Sequence, residues 1–412
     1  MKQKTKLLEI IGVLSVSLIL TTTHSISGAL PLFQEQFPQV SRSAMEFMIS
    51  VPTILMTIMI ALSPVFNRIL TERTIITGGL LIIGISGCLP FFLASFPAIM
   101  ITRIFLGIGI GLLNAAAVSM VGQRFSGSLR AKLQGMRMSA ETLGQTALTL
   151  LASFLLLFGW NYPFLIYGAA FLILFLYLAF VPHREKYSAE SDYETAEGLP
   201  ADSKKRYQAA DRDNRKAKQK KINRTELFSA LFYAAFSALL ISSEVVLSLR
   251  LPTRIVDSGL GSAVTGSTIL SISIFGGFLG GITFGKLLFA LKRKMLPLFL
   301  GTAALGMAAI ALAPNLVLLT LGSILCKFSI TSCISYTFNS LSDHTSPASL
   351  GTANAIVLVG CNLGSSVAPF LLKLIDVMSS QYFAPFLVYG AVLLCISAGA
   401  FCLTLKVSHR SR

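Results

Sequence analysis

The sequence predicts an all-helical integral membrane protein, with twelve transmembrane helices arranged as two six-helix pseudo-repeats. Three observations carry that prediction. First, the 412 residues are 54% hydrophobic and only 13% charged, with a mean hydropathy of +0.73. So few charges cannot coat a soluble surface of this size, whereas a bilayer solvates apolar helices directly. Second, twelve apolar runs are each long enough to cross roughly 30 Å of hydrocarbon. Third, short segments recur at a near-constant offset of 220 to 222 residues.

The runs of the first half lie at 8–33, 43–67, 74–93, 97–122, 130–157 and 161–182. Those of the second lie at 225–252, 265–290, 295–313, 316–341, 348–375 and 382–406. Lys2, Lys4 and Lys6 precede the first run in the manner of a signal peptide. That run is too long for a signal core and has no small-residue cleavage site, so it reads as a retained helix. The organisation follows as 1–182 for the first half, 183–224 for a charged linker and 225–412 for the second half.

The formal net charge of +16 is a matter of placement. With the N-terminus inside, 26 of the 34 Lys and Arg fall on the inner side, and Arg42, Arg250 and Arg254 face the other way. The positive-inside rule therefore predicts a multi-pass plasma-membrane protein with both termini in the cytoplasm. The linker carries an acidic stretch (Glu185 to Glu197) and then a basic one (Lys204 to Arg224). It reads as a tether whose positive end touches anionic lipid rather than as a nucleic-acid site.

The repeat shows as Leu30-Pro31 against Leu251-Pro252, Ser128-Leu129 against Ser349-Leu350, and Leu143-Gly144 against Leu363-Gly364. The most specific match sets Pro163-Phe164-Leu165-Ile166-Tyr167-Gly168-Ala169 against Pro385-Phe386-Leu387-Val388-Tyr389-Gly390-Ala391, with six identities in seven.

Several chemistries are excluded. The six cysteines sit singly in apolar runs without a CxxC pair, which argues against structural disulfides and zinc. No GxxxxGK[ST] loop exists to hold a nucleotide. The glycines of 107–111 and 276–285 lie inside apolar spans, where they let helices approach closely. The expectation is no enzyme activity and no cofactor, with a proton gradient as the energy source. The expected partners are a small-molecule substrate and the bilayer, and the expected state is a monomer.

Twelve helices in two repeated halves with a long charged central loop resemble the major facilitator superfamily, and the resemblance covers essentially the whole chain. In the fourth helix, Arg103-Ile104-Phe105-Leu106-Gly107-Ile108-Gly109 matches that family's R-x-x-x-G-x-G element. Its loop motif after the second helix is present in part, from Ser63 to Arg73, with Asn67 in place of the usual Asp. The second-half counterpart runs from Gly281 through Gly285 and Lys286 to Lys292, Arg293 and Lys294. The antiporter signature with a Gly-Pro pair is missing from the fifth helix, so motifs leave the direction of transport open. The resemblance implies transport by alternating access, with Asn67, Arg68, Arg73, Gly285 and Lys286 in gating loops and helices one, four, seven and ten lining a central cavity.

Charges within hydrocarbon are costly and must face a partner or a watery cavity. Those present are Arg103, Arg137, Glu141, Glu244, Lys286 and Lys327, joined by the titratable His24. At a rise of 1.5 Å per residue, Glu244 lies about 12 Å, Lys327 about 16 Å, His24 about 13 Å and Arg103 about 9 Å below the outer face. Glu244 is either a carboxylate that exchanges protons as the cavity opens and closes or the static partner of Lys327. Arg103 reads as a packing residue or a substrate ligand, and His24 as an internal hydrogen-bonding group or a proton carrier. Asn114 lies three turns from Arg103 and offers a hydrogen-bonding ligand. Arg137 and Glu141 can neutralise each other at i, i+4; otherwise Glu141 relays protons. The composition, rich in Phe with few cavity charges, suits proton-coupled efflux of an amphiphilic drug or small metabolite. The alternatives are a symporter importing a small organic anion and a non-transporting membrane sensor or scaffold.

Overall fold

The computed structural model describes residues 2–124, 127–181, 223–346, 349–379 and 381–410. The linker assigned to 183–224 lies outside them as far as residue 222, as do the side chains of Asn67 and Arg68. Twelve helical spans follow in order. Span 1 runs from Lys2–Ser15 through three short 3-10 turns to Leu30–Gln36. Spans 2 to 6 are Arg42–Ile69, Glu72–Cys88, Phe96–Arg124, Gly127–Leu155 and Ala169–Phe180, the last entered through a 3-10 segment, Tyr162–Gly168. Spans 7 to 9 are Arg224–Asp257, Ala263–Leu291 and Met295–Leu312, and spans 10 to 12 are Leu316–Asp343, Leu350–Met378 and Ala384–Arg410.

Among the described residues nine helices are long and apolar enough to cross a membrane, or ten when the bent first span is taken as one. Two features separate that number from twelve. Spans 8 and 9 follow each other with only a 3-10 turn, Lys292–Lys294, between them, so Ala263 to Leu312 counts as one run, yet Gly280 lies against Phe328 while Gly306 lies against Gly322 and Cys326. Both helices therefore pack beside span 10, and the chain reverses between them at Lys292, whose φ of 49° breaks the helix. Span 5 carries Arg130, Lys132, Arg137 and Glu141 in its first half, which lowers its hydropathy.

Span starts are capped by side chains where the first-turn N–H groups lack helical partners. Ser41, Thr71, Ser262 and Asn315 each accept from the amide three residues on. Span 7 begins with a capping box between Asn223 and Glu226. The bilayer-facing surface carries large apolar side chains such as Phe92, Phe175, Phe228 and Phe289.

The sequence repeat is also a repeat of contacts. Gly144 of span 5 packs on the Leu18 backbone, and Gly364 of span 11 on the Ala238 backbone. A Cβ there would come within 2.0 and 2.1 Å of the respective carbonyl oxygens. Residues 18 and 238 are 220 apart, and so are 144 and 364. The tyrosine of each repeated heptapeptide pins its helix to the equivalent span. Tyr167 donates to the Thr22 carbonyl at 3.1 Å, and the Tyr389 and Ser242 hydroxyls bond at 2.6 Å.

Span 1 departs from the unbroken helix expected over 8–33. Its Thr21 to Ser27 stretch is rich in hydroxyls that compete with the backbone for carbonyls. Ser15 donates to Gly12 and Thr22 to Ile19, both at 2.8 Å. The α-helix lapses after Ser15; the Thr23 carbonyl takes Arg103 of span 4, and the Thr22 carbonyl, which accepts from Ser25 N–H, also takes Tyr167 at the start of span 6. Span 7 also differs: it continues to Asp257 with Pro252 inside the helix rather than stopping at Pro252.

The halves meet on the face away from the chain termini, called here the far face. Val245, Val246 and Leu249 of span 7 and Ala368, Leu372 and Ile375 of span 11 join the first half's apolar core, and Phe47 packs edge-on against Phe370 at 5.6 Å. Toward the near face, Leu363, Val359 and Thr352 continue the Phe370 face of span 11 at spacings of 7, 11 and 18. There they line an apolar cleft of about 460 Å³ with Leu231, Ala235 and Ala238, and no described first-half residue lines it. The described contacts between these spans and the first half's core thus lie on the far side.

Candidate substrate and proton pathway

The break in span 1 explains Arg103. Its side chain is fully buried, donating from Nη1 to the Tyr167 hydroxyl at 2.9 Å and from Nη2 to the Thr23 carbonyl at 2.8 Å. The guanidinium also lies 5.4 Å from the Tyr167 ring centroid. A 3-10 segment buried in a membrane leaves carbonyls without helical partners, and no water is there to satisfy them. Arg103 supplies a donor to the Thr23 carbonyl, and Tyr167 adds a second to Thr22, so the charge of Arg103 is spent inside the first half. Replacing Arg103 with Gln removes charge-assisted bonds worth about 1.5–3 kcal/mol each. The expected result is a lower melting temperature in detergent and equal affinity loss for anionic, neutral and cationic solutes. A loss confined to anions would show that the charge of Arg103 reaches the cavity.

His24 sits in the same broken segment and reaches across to the second half, its Nε2 lying 3.2 Å from the Ser365 hydroxyl of span 11. Its Nδ1 is buried with no hydrogen-bond partner among the described residues. The charges of Arg103 and Lys327 both act on the ring, which places residues of spans 1, 4, 10 and 11 around one point.

On the second-half side of that point, Lys327 of span 10 is paired with Glu244 Oε1 of span 7. The pair is uneven. The Lys327 side chain is 2% exposed and that of Glu244 24% exposed, so the ammonium is packed away while the carboxylate faces open space. Cys326 and Cys361 lie within the field of Glu244.

Arg137 and Glu141 form the expected i, i+4 pair on span 5, both largely buried. The Glu141 carbonyl accepts from Thr21 at 3.1 Å, tying the pair to the broken span. Asn114 is half-buried, and its amide makes no hydrogen bond with a described residue. Of the gating residues, Arg73 is half-buried at the start of span 3, while Gly285 and Lys286 are exposed near the end of span 8, with open space around the Gly285 Cα.

A charge cluster that sequence reasoning missed closes the far face. Arg250 of span 7, buried, lies 2.6 Å from Glu46 Oε1 of span 2 and 2.6 Å from Asp376 Oδ2 of span 11. Arg42 lies 3.6 Å from Glu46 and 3.4 Å from Asp257. In the sequence Arg42 and Arg250 count with the outer loops because each lies within two residues of an end of its apolar run, 43–67 and 225–252. The signal was present: Glu46 stands inside an apolar run, and Arg250 inside Val245 to Pro252. Neighbouring Arg254 has another task, donating to the Ala311 and Ala313 carbonyls at the end of span 9.

Comparisons with known proteins agree with this architecture. The chain is similar in fold to the xylose transporter XylE from E. coli in its inward open conformation, at a TM-score of 0.73, 18% identity and 96% coverage of each chain. It is likewise similar to a D-xylose-proton symporter, at a TM-score of 0.74, 18% identity and coverage of 95% of this chain and 96% of that one. A POT family transporter in complex with a thioalcohol-conjugated peptide gives 0.72 and 14% over 96% of each chain. No curated protein matches the sequence. The family profile described as Major Facilitator Superfamily matches residues 12–369. With most of its length matched and its twelve spans repeated as two halves, the chain belongs to the Major Facilitator Superfamily and is a multi-pass membrane transporter.

Proposed function

We propose that the protein is a proton-coupled secondary transporter that exports an amphiphilic small molecule from the cytoplasm across the plasma membrane by alternating access. The observation that carries this reading is the uneven Glu244–Lys327 pair. A carboxylate at mid-depth, open on one side, can exchange a proton at one oxygen while the other keeps accepting from the Lys327 ammonium. His24, bridging to Ser365, stands where the halves meet and can sense their separation. The excess of Lys and Arg on the near face supports a cytoplasmic location for that face. The absence of a nucleotide loop supports a gradient as the energy source. Arg137 and Glu141 would serve as a relay between the near face and span 1.

The test is a reconstituted proteoliposome with an imposed proton gradient and a pH-sensitive dye on one side. Export by exchange predicts an opposed movement of protons and solute, and symport predicts parallel movement. No gradient-driven flux of any solute in a broad panel would overturn the transporter assignment for this site.

A further inference from the structure

The apolar cleft between spans 7 and 11 lies apart from the charged pairs, and its volume of about 460 Å³ is that of a small-ligand site. Its floor is fixed by backbone contact: a Cβ on Gly360 would lie 2.4 Å from the Ala234 carbonyl oxygen, so the two helices are locked together along this line. Its rims are large apolar side chains that stay open, Leu231 and Leu363 at 52% and Val359 at 42% exposure. Thr352 is the one lining residue with a polar side chain, and it stands in the first turn of span 11, at the near-face end. From Thr352 to Leu363 the furrow runs about 16 Å along the helix, which is close to half of a hydrocarbon core about 30 Å thick. At its near end the charge is positive. Arg224 is exposed at the start of span 7 and forms no ion pair with a described residue. It precedes Leu231 by seven residues, on the same helix face and about 10 Å nearer the surface. The ten residues ending at Arg224 hold six Lys and Arg and no acidic residue. Glu226, in the same turn, already accepts from the N–H groups of Asn223 and Ser346.

We propose that this cleft binds one anionic phospholipid of the near leaflet, with an acyl chain in the furrow and the phosphate at Arg224 and the basic stretch that leads into span 7. Length and charge both select that occupant. The furrow spans one leaflet, and a run of Lys and Arg directly beside a membrane helix attracts anionic headgroups, each basic residue adding its share. The chain's own linker does not suit the furrow: from Gln208 to Lys221 its largest apolar residue is Ala. A hydrophilic solute would find apolar walls above Thr352 and no polar side chain to hold it. A phospholipid satisfies both ends at once, its chain covering Leu231, Val359 and Leu363 and its headgroup supplying the counter-charge. The site is independent of the direction and coupling of transport.

Native mass spectrometry reads the occupant by its mass. The purified full-length chain is placed in micelles holding equal amounts of phosphatidylglycerol and phosphatidylcholine with the same acyl chains. One phosphatidylglycerol per chain is expected, retained at least about tenfold over phosphatidylcholine. Arg224→Gln is expected to weaken that retention about fivefold, the share of one basic residue at the surface. Lys373→Gln, an exposed change at the far end of span 11, is expected to leave it unaltered. Ala235→Leu with Ala355→Leu fills the furrow from both walls, and since both alanines are exposed the variant should elute as a folded monodisperse species that has lost the bound lipid. Equal retention of the two lipids, no retained lipid, or a mass of two chains without lipid overturns the proposal. So does full retention by Arg224→Gln. A phosphatidylglycerol preference that persists in the filled variant also overturns it, since the lipid is then held by surface charge alone and not by the cleft.

Discussion

Replacing Glu244 with Gln is expected to lower the stability of the protein more than replacing Lys327 with Met, although the two residues form one pair. The Lys327 ammonium is buried to 2% exposure, and without its carboxylate it has neither water nor a counter-charge. Breaking a buried pair from that side costs about 3–5 kcal/mol, a large part of a net stability of about 5–15 kcal/mol. The reverse change leaves Glu244, which reaches open space and can take up a proton or water, so the expected cost is smaller. Melting temperatures in detergent check the order; equal losses would mean that both groups are equally sealed. The double variant separates structure from coupling. If Glu244 exchanges the proton, Glu244→Gln with Lys327→Met recovers folding and downhill exchange but accumulates no solute against a gradient. Full uphill transport by that variant would remove Glu244 from the proton path and leave Glu141 and His24.

How far the sequence carries can be judged from particular residues. The twelve spans and the two halves were legible because hydrocarbon imposes one requirement on every spanning segment, a long apolar run with its backbone paired internally. The heptapeptides at Pro163 and Pro385 were legible as a repeat, and the structure gives their tyrosines a shared task, holding spans 6 and 12 against spans 1 and 7. The Glu244–Lys327 and Arg137–Glu141 pairs could be read from depth and from i, i+4 spacing. The break in span 1 could not, because an apolar run looks the same whether its carbonyls bond within the helix or to Arg103. The seam between the halves was hidden for a related reason. A proline ends a helix on local rules, yet Pro252 continues one in a membrane, where neighbouring helices satisfy the freed groups. With span 7 ended at Pro252, Arg250 stood at the margin of the span and counted with the loop.

That seam has a counterpart of different chemistry. At the repeat offset of 221, Glu46 corresponds to Ser267 and Arg250 to Ala29. Where spans 2, 7 and 11 meet, the contact is ionic. Where spans 8, 1 and 5 meet, it is small and neutral: Ser153 donates to Ser267 at 2.6 Å, and a Cβ on Gly28 would lie 2.3 Å from Ser267. Close packing of small side chains is lost with any separation, while an ion-pair network gives way when its charges find water. The two seams therefore have unequal tendencies to open, and the ionic one is the side on which a change of solvation can part the halves.

Removing Arg250 is expected to have the largest effect of any change at the far face. Glu46 is fully buried and Asp376 partly so, and Arg250→Met leaves both facing a methyl group. Arg42, 3.6 Å from Glu46, compensates in part, so the loss should fall toward the lower end of about 3–5 kcal/mol. Glu46→Gln added to Arg250→Met removes the stranded charge and is expected to restore folding, but the far face then lacks its ionic closure. Close charge pairs across an interface couple by about 1.5 kcal/mol or more, so the population open on that side should rise at least about tenfold. A cysteine placed at Leu372, in a background lacking the six native cysteines, reports this through its labelling by a membrane-impermeant maleimide from the far face. Leu372 is fully buried and joins the first half's apolar core, so its labelling rate follows the parting of the halves. Faster labelling in the double variant, with Ser153→Cys and Ser267→Cys still cross-linking efficiently, identifies the ionic seam as the one that opens. An unchanged rate would show that apolar packing, and not the Glu46–Arg250–Asp376 network, holds the far face shut.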